Sequence, residues 1–359
     1  MADLVFNALM LAVDAAALCI VRRRPGIVGV AAGGALAAAA ALLLALAFAF
    51  VLPWHPVFAT LRFAAWATFL HGPLLLLGGA AVLRRRRVWR LGLPAAAAVV
   101  LTVAADAFLR EPWALCLRHY QIESTKVDRP LRIGVIADLQ TDQAGEYERE
   151  ALARLLAEQP DLVLFAGDYV HLLDDEQRAR QWEAVNRLFR EVGLAAPLGV
   201  YAVQGDVDPG PWERIFDGID AELFPATRTV EGAGFAVTGL SHRDGTQTGL
   251  SVPGRPGFHI VLSHRPDFAL GAVDADLLIA GHTHGGQVRL PFFGPPITMS
   301  NVPRAWAGGL TELAGGRTLV VSRGVGMERG SAPRLRFLCP PEIVVIDVVP
   351  AAGGVAAAR

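Results

Sequence analysis

Cysteine is scarce in this chain, and its three residues are too dispersed to impose a covalent framework. Cys19 falls in an apolar run, while Cys116 and Cys339 lie in the later part of the sequence. Those two either pair in an oxidising compartment or stand as free buried thiols, and no spacing demands a bridge. Net charge is nearly absent as well: 33 Lys and Arg against 34 Asp and Glu leave −1, which gives no basis for a nucleic-acid partner. No internal repeat occurs at any length, which excludes a solenoid or propeller.

What the chain has in excess is apolar sequence, concentrated before residue 110. Residues 4–20, 26–52, 57–83 and 91–109 each supply roughly the ~20 mostly apolar residues that cross a bilayer core. They are read as four transmembrane helices. Asp14 and Asp106 fall inside the first and last, where a carboxylate is costly unless it faces a partner or a helix end. Both are placed near an interface or inside the bundle; a transport role is the alternative. His55 and His71 are read the same way, as interfacial or bundle residues.

Short cytoplasmic loops carry the excess of positive charge. Arg22, Arg23 and Arg24 follow the first span, and Arg84 to Arg87 with Arg90 follow the third, so both loops belong inside. The turn Pro53-Trp54-His55-Pro56 and everything from about Glu111 onward then lie outside. The organisation expected is a helical anchor over 1–110, a connector over 111–129, an α/β domain over 130–349 and a disordered tail over 350–359.

In the α/β part, short apolar runs alternate with charged amphipathic stretches. Residues 131–137, 162–166, 200–203, 235–240, 259–263, 276–280, 318–322 and 343–348 read as strands, and 146–158 and 176–192 as helices. Leu152, Leu155 and Leu156, then Trp182, Val185, Leu188 and Phe189, recur at helical spacing and mark core faces.

The residues able to do chemistry sit where those strands end. Asp138 follows the first, Asp168 the second in Gly167-Asp168, and Asp206 and Asp208 the third in Gly205-Asp206-Val207-Asp208. His264 follows a later strand. His282 and His284 follow Leu277-Leu278-Ile279-Ala280 in Gly281-His282-Thr283-His284-Gly285-Gly286. Ligands of open α/β sheets collect at the carboxyl ends of strands, and neutral imidazole is the commonest transition-metal ligand. Singly, each aspartate reads as a cap or turn former; together with the histidines they read as a metal centre.

In their order, Asp138 to His284 resemble the calcineurin-like metallophosphoesterases, whose pattern is Asp-x-His, Gly-Asp, Gly-Asn-His-Asp/Glu, His and Gly-His-x-His. The stretch GHTHGGQVRLPFFGP at 281–295 and the ending Arg336-Phe337-Leu338-Cys339-Pro340-Pro341-Glu342-Ile343 resemble the membrane-anchored bacterial branch. The resemblance implies a four-layer α/β/β/α sandwich over about 130–349. It also implies one metal between Asp138, Gln140, Asp168 and His284, and a second between Asp168, Asp206, His264 and His282, with Asp168 shared. Asp168, Asp206 and His264 are then the catalytic residues, and a hydroxide shared between the cations attacks phosphorus in line.

Three positions depart from the pattern. Gln140 replaces the first-motif histidine and offers only a weak oxygen donor. Asp206 replaces asparagine and adds a charge. Val207 stands where a histidine would support the leaving group, a loss that typically costs ~10²–10⁴ in rate. Asp208 has then lost that histidine as its partner, and Arg323 is a candidate replacement. His171 and His242 read as surface residues, with substitution for the missing histidine as the alternative; His259 reads as a satisfied core residue.

An oxygen-rich set without thiolate suits manganese, iron or zinc, with manganese favoured by Gln140, and argues against copper(I). The function expected is a membrane-anchored, extracytoplasmic dinuclear phosphoesterase. Its substrate would be a phosphodiester or pyrophosphate of a lipid or cell-envelope precursor. The alternative is a degenerate member that binds metal or ligand without hydrolysis.

Overall fold

The computed structural model describes residues 1–52 and 55–351, which divide into two units. One comprises Met1–Arg110 with Arg329–Arg334; the other comprises Glu111–Glu328 and the chain from Leu335. Pro53 and Trp54 of the expected outer turn, and residues 352–359 of the expected tail, lie outside the described residues.

The first unit is helical: α1 (Ala2–Arg23), α2 (Ile27–Val51), α3 (Pro56–Trp66), α4 (Gly72–Val82) and α5 (Arg87–Ala105). A π turn, Ala67–His71, joins α3 to α4, so Pro56–Val82 is one apolar stretch, and the fourth runs Arg87–Trp113. All four stretches are long and apolar enough to cross a membrane. Phe6, Met10, Ala45 and Phe63 form a core shared by the first three. The polar exceptions are paired. Asp14, 5% exposed, lies 2.6 Å from His71 Nδ1, and Asn7 Oδ1 lies 3.0 Å from the other ring nitrogen. Asp106 pairs with Arg110 one turn on, and Asp3 accepts from Arg62.

The second unit is built on strands. They are β1 (Cys116–Ser124), β2 (Leu131–Ile136), β3 (Leu162–Phe165), β4 (Val200–Val203), β5 (Glu222–Phe224), β6 (Arg228–Glu231) and β7 (Phe235–Gly239). There follow β8 (Ser251–Val252), β9 (Phe258–Leu262), β10 (Ala272–Val273), β11 (Leu277–Ala280), β12 (Gly309–Leu313), β13 (Arg317–Val321) and β14 (Glu342–Pro350). Two six-stranded sheets result, ordered β1-β14-β2-β3-β4-β5 and β12-β13-β11-β9-β7-β6, with β8 and β10 as a separate pair. Within them β2 through β5 run parallel, as do β7, β9, β11 and β13.

Alternation along each strand divides the apolar side chains between two layers. Ile133, Val135, Leu162, Leu164 and Val203 meet Val237, Ile260, Leu262, Leu277 and Ile279 of the other sheet. Their neighbours Ile136, Val163, Phe165 and Ala202 point the other way, onto α6 (Glu146–Ala157) and α7 (Asp175–Glu191) through Leu152, Leu155, Trp182, Val185 and Phe189. Because both faces of each sheet are covered, the central strands read as continuous apolar runs, as parallel strands do. The outer face of the second sheet carries a thinner layer: the 3₁₀ segment Pro266–Leu270 supplies Phe268 and Ala269, and α8 (His242–Gly245) is a single turn. The architecture is the layered mixed α/β sandwich expected, preceded by the apolar helices.

One correction concerns the segment expected as a connector over 111–129. It contains β1, nine residues long, paired in parallel with β14 from Cys116↔Glu342 to Ser124↔Pro350. Arg118, His119, Gln121 and Glu123 interrupt its apolar pattern because β1 is an edge strand, where one side faces solvent and charge discourages further pairing. Cys116 and Cys339 are both free thiols.

Candidate metal centre

Five strands from the two sheets deliver their carboxyl ends to one place. Asp138 follows β2, Asp168 follows β3, Asp206 and Asp208 follow β4, His264 follows β9, and His282 and His284 follow β11. The loop after β13 closes the group. Backbone hydrogen bonds lace these ends together: Gln140 N donates to Asp168 O at 2.8 Å, Gly281 N to His264 O at 2.9 Å and Gly326 N to Asp138 O at 2.7 Å.

The backbone here adopts conformations that side chains ordinarily avoid. Asp138 (φ 49°), Gln140 (34°), Asp168 (59°), His282 (69°) and His284 (48°) are all left-handed. Each costs about 1 kcal/mol or more relative to a right-handed residue, and such strain concentrates at functional sites. Two glycines make room for the carboxylates. A Cβ at Gly205 would stand 2.1 Å from Asp168 Oδ1, and one at Gly281 would stand 2.5 Å from Asp138 Oδ2.

The side chains form two overlapping triads. Donor atoms of Asp206, His264 and His282 lie within 4.8 Å of one another, and so do those of Asp138, Asp168 and His264. His264 therefore belongs to both groups, whereas the sequence pattern places it in one. His282 Nδ1 is 2.9 Å from Asp206 Oδ2, and Gln140 Nε2 donates to Asp168 Oδ2 at 2.9 Å. His264 Nε2 stands 3.4 Å from Asp168 Oδ2, and His284 Nε2 stands 3.9 Å from Asp138 Oδ1.

These distances matter because both of those ring nitrogens are buried and have no hydrogen-bond partner. An unsatisfied buried acceptor normally costs ~1–3 kcal/mol. His264 is held in place by its other nitrogen, 2.8 Å from Ala166 O, and His282 Nε2 is likewise 2.9 Å from Met299 O. That is the arrangement in which a backbone carbonyl fixes the ring and leaves the opposite nitrogen for a cation. The donor set therefore fits divalent metal.

Electrostatics point the same way. Burial, then the Asp168 charge, pushes the Asp138 carboxyl well above its usual range. Burial, then Asp206, raises Asp168 to about 7; burial, then Asp168, raises Asp208 and Glu328 to about 7. Burial also raises Asp206, but the hydrogen bond from His282 and the charges of His264, His282 and Arg265 outweigh it and hold that group low. His264 is lowered to about 4 by burial, and burial with Arg336 keeps His284 neutral.

The sign of the resulting pH dependence is definite for metal-free protein. A carboxyl raised on folding contributes stability that is present below about pH 4 and lost as pH rises through about 7. His264 and His284, lowered on folding, act oppositely below about pH 6.5, but Asp138, Asp168, Asp208 and Glu328 outnumber them. Metal-free chain in nanodiscs is expected to melt at lower temperature at pH 8 than at pH 5, and saturating manganese is expected to reverse that order. A melting temperature that climbs from pH 5 to 8 without metal contradicts this account.

Around the triads, several expectations change. Asp208 does not pair with Arg323. Instead it accepts from the backbone N–H groups of Asp168 (2.7 Å), Tyr169 (2.8 Å) and Gly205 (2.8 Å), clamping the Asp168 turn, while Arg323 Nε lies 3.5 Å from Glu342. Val207 contributes its N–H, which donates to Asp168 Oδ1 at 2.9 Å. His171 and His242 are not merely surface residues: His171 Nδ1 is 3.5 Å from Glu328, and His242 Nδ1 is 3.5 Å from Asp206. His259 is a satisfied core residue, 2.8 Å from Thr238 Oγ1 and 2.9 Å from Asp274 O.

Three residues at the site have roles that the sequence does not assign. Arg265 donates to Asp206 Oδ2 at 3.0 Å, and its only signal was adjacency to His264. Arg336, fully buried, donates to the carbonyls of Arg323, Gly324 and Cys339 and so braces the loop after β13. Glu328, at the end of that loop, gives no signal in the sequence at all.

Comparison with known proteins places this geometry. The calcineurin-like phosphoesterase family matches residues 131–286, from β2 through the motif that carries His282 and His284. The uncharacterized metallophosphoesterase YkuE of Bacillus subtilis is 33% identical over 211 residues, 53% of this chain and 68% of its own. Phosphodiesterase YaeI of Escherichia coli is 28% identical over 273 residues, 72% of this chain and 97% of its own. Among solved structures, a dimetal phosphatase from Danio rerio covers 58% of this chain and 91% of its own, at 15% identity and a TM-score of 0.31. With every strand-end residue from Asp138 to His284 inside the matched span, the chain belongs to the calcineurin-like phosphoesterase family.

Proposed function

We propose that this protein is a membrane-anchored, extracytoplasmic, metal-dependent phosphoesterase acting on a phosphodiester or pyrophosphate of a lipid or cell-envelope precursor. The observation that carries the hydrolytic part is the pair of buried, unsatisfied imidazole nitrogens, His264 Nε2 and His284 Nε2, facing carboxylates. In this reading residues 1–110 anchor the chain and residues 130–349 do the chemistry. Asp138, Gln140, Asp168 and His284 hold one divalent ion; Asp168, Asp206, His264 and His282 hold the other, with manganese favoured over iron or zinc. Such ions, when bound, polarise a phosphoryl oxygen and lower the pKa of water.

The chain's own groups do the rest. Asp168 is oriented by the Val207 N–H on one oxygen and the Gln140 amide on the other. Asp206 sits on the more open side of the centre with Arg265 and His242 beside it. The Arg265 charge, with the His242 imidazole, which burial keeps neutral, beside it, is available to a departing oxyanion at the place where Val207 has no imidazole. A diphosphate, whose leaving group needs little protonation, suits that arrangement best.

Support for the outer location comes from Arg22 to Arg24 and Arg84 to Arg87, which assign the loops after the first and third apolar helices to the cytoplasm. Membrane tethering raises the effective concentration of substrates in the bilayer. The full chain in nanodiscs with manganese is expected to hydrolyse lipid diphosphates in the same bilayer faster than soluble diesters of equal leaving group. Equal rates would remove the lipid from the proposal, and no hydrolysis of either with metal bound would favour the second reading, a binding protein, for which Val207 is the motivating residue.

A further inference from the structure

The loop after β13 brings a carboxylate to the centre that no motif contains. Glu328 Oε2 lies 3.4 Å from the Gln140 side-chain amide, and that amide lies 2.9 Å from Asp168 Oδ2. Its side chain is 19% exposed. Glu328 is also firmly placed. Its N–H donates to Gln287 Oε1 at 2.9 Å, Gly326 N two residues earlier donates to Asp138 O, and the buried Arg336 guanidinium braces the same loop.

Oxygen ligands at 2.0–2.2 Å around an octahedral cation stand about 3 Å from their neighbours. The Gln140 amide keeps that spacing to both carboxylates at once. Without a cation, its N–H faces the two oxygens. Half a turn of the terminal torsion presents its carbonyl oxygen instead, since the two ends of the amide have nearly the same shape. Gln140 is neutral and a weak donor. A second carboxylate beside it supplies the charge that the amide lacks. His284, its Nε2 buried and unpartnered near Asp138, completes the opposite side.

We infer that Glu328 is a ligand of the cation held by Asp138, Gln140, Asp168 and His284. The inference rests on the metal-dependent reading above. That ion then has oxygen from Asp138, Gln140, Asp168 and Glu328 against a single imidazole nitrogen, a hard set that favours manganese over zinc.

The test is metal binding, measured on the full chain in nanodiscs by equilibrium dialysis with elemental analysis, with free manganese counted by its EPR signal. Wild type is expected to bind two manganese ions. Glu328→Ala should retain one at wild-type affinity and bind the other at least ~10-fold more weakly, with zinc now competing more effectively at that site. Glu328→Gln, nearly identical in shape, serves as the second variant and should show the same selective weakening while melting, without metal at pH 5, as wild type does. Two ions at unchanged affinity in both variants overturn the assignment and leave the hydrolase reading intact. No ion bound by wild type overturns both.

Discussion

Asp168→Ala is expected to abolish measurable phosphoesterase activity, a loss of about 10³-fold or more, and to lower bound metal from two ions per chain to one or none. The Asp168 carboxylate lies among groups from three other segments of the site. Its two oxygens meet the Val207 N–H, the Gln140 amide and His264 Nε2, and its own N–H donates to Asp208. Two cations a few ångströms apart repel strongly unless an anion lies between them, and in the proposed assignment Asp168 is that carboxylate. Asp168→Asn separates charge from shape. It can still accept the Val207 N–H, so the turn should survive and the melting temperature of the metal-free protein at pH 5 should hold, while metal binding falls as in the alanine variant. Two ions and a wild-type rate in Asp168→Asn would sink the shared-ligand role.

Val207→His is expected to raise the rate on a diester with a poor leaving group by about 10²-fold, and to do little for a substrate with a good one. The asymmetry is the informative part. An imidazole that donates a proton to, or stabilises, the departing oxygen matters only when that oxygen is basic. The substitution also keeps the backbone N–H on which Asp168 depends. Asp208 stands ready at the adjacent position, but it is already committed to three backbone N–H groups. A uniform gain across leaving groups would mean that residue 207 acts on substrate binding. No change with both metals bound would mean that Arg265 and His242 already supply what the imidazole would add.

Much of this molecule is legible without coordinates, because the signals involved are local. Apolar runs of bilayer length mark the four membrane-length stretches, and the central strands of the two sheets announce themselves because both faces of each are buried, so nearly every residue is apolar. Asp138, Asp168, Asp206, His264, His282 and His284 are legible because each stands just past such a run, where a turn must form and a ligand site opens. The edge strands β1, β5, β6 and β12 are not legible for the complementary reason, and β1 is the longest of them. An edge strand satisfies only one side, so the alternation of β1 is diluted by Arg118, His119 and Glu123, and its pairing with β14 joins residues more than two hundred positions apart.

The sequence by itself determined the order of elements, the division between apolar helices and α/β layers, and the donor types at the strand ends, since each follows from periodicity or from residues adjacent in the chain. Only the tertiary structure decided which of those residues meet. It turned Asp208 from a partner of side-chain cations into a clamp on backbone amides and gave His264 to both triads. It set Arg265 and His242 beside Asp206 and carried Glu328 to Gln140 from 188 residues away. The reason is that the site is assembled from five strand ends and the loop after β13, and contacts between distant segments depend on sheet order and packing, which no local pattern encodes.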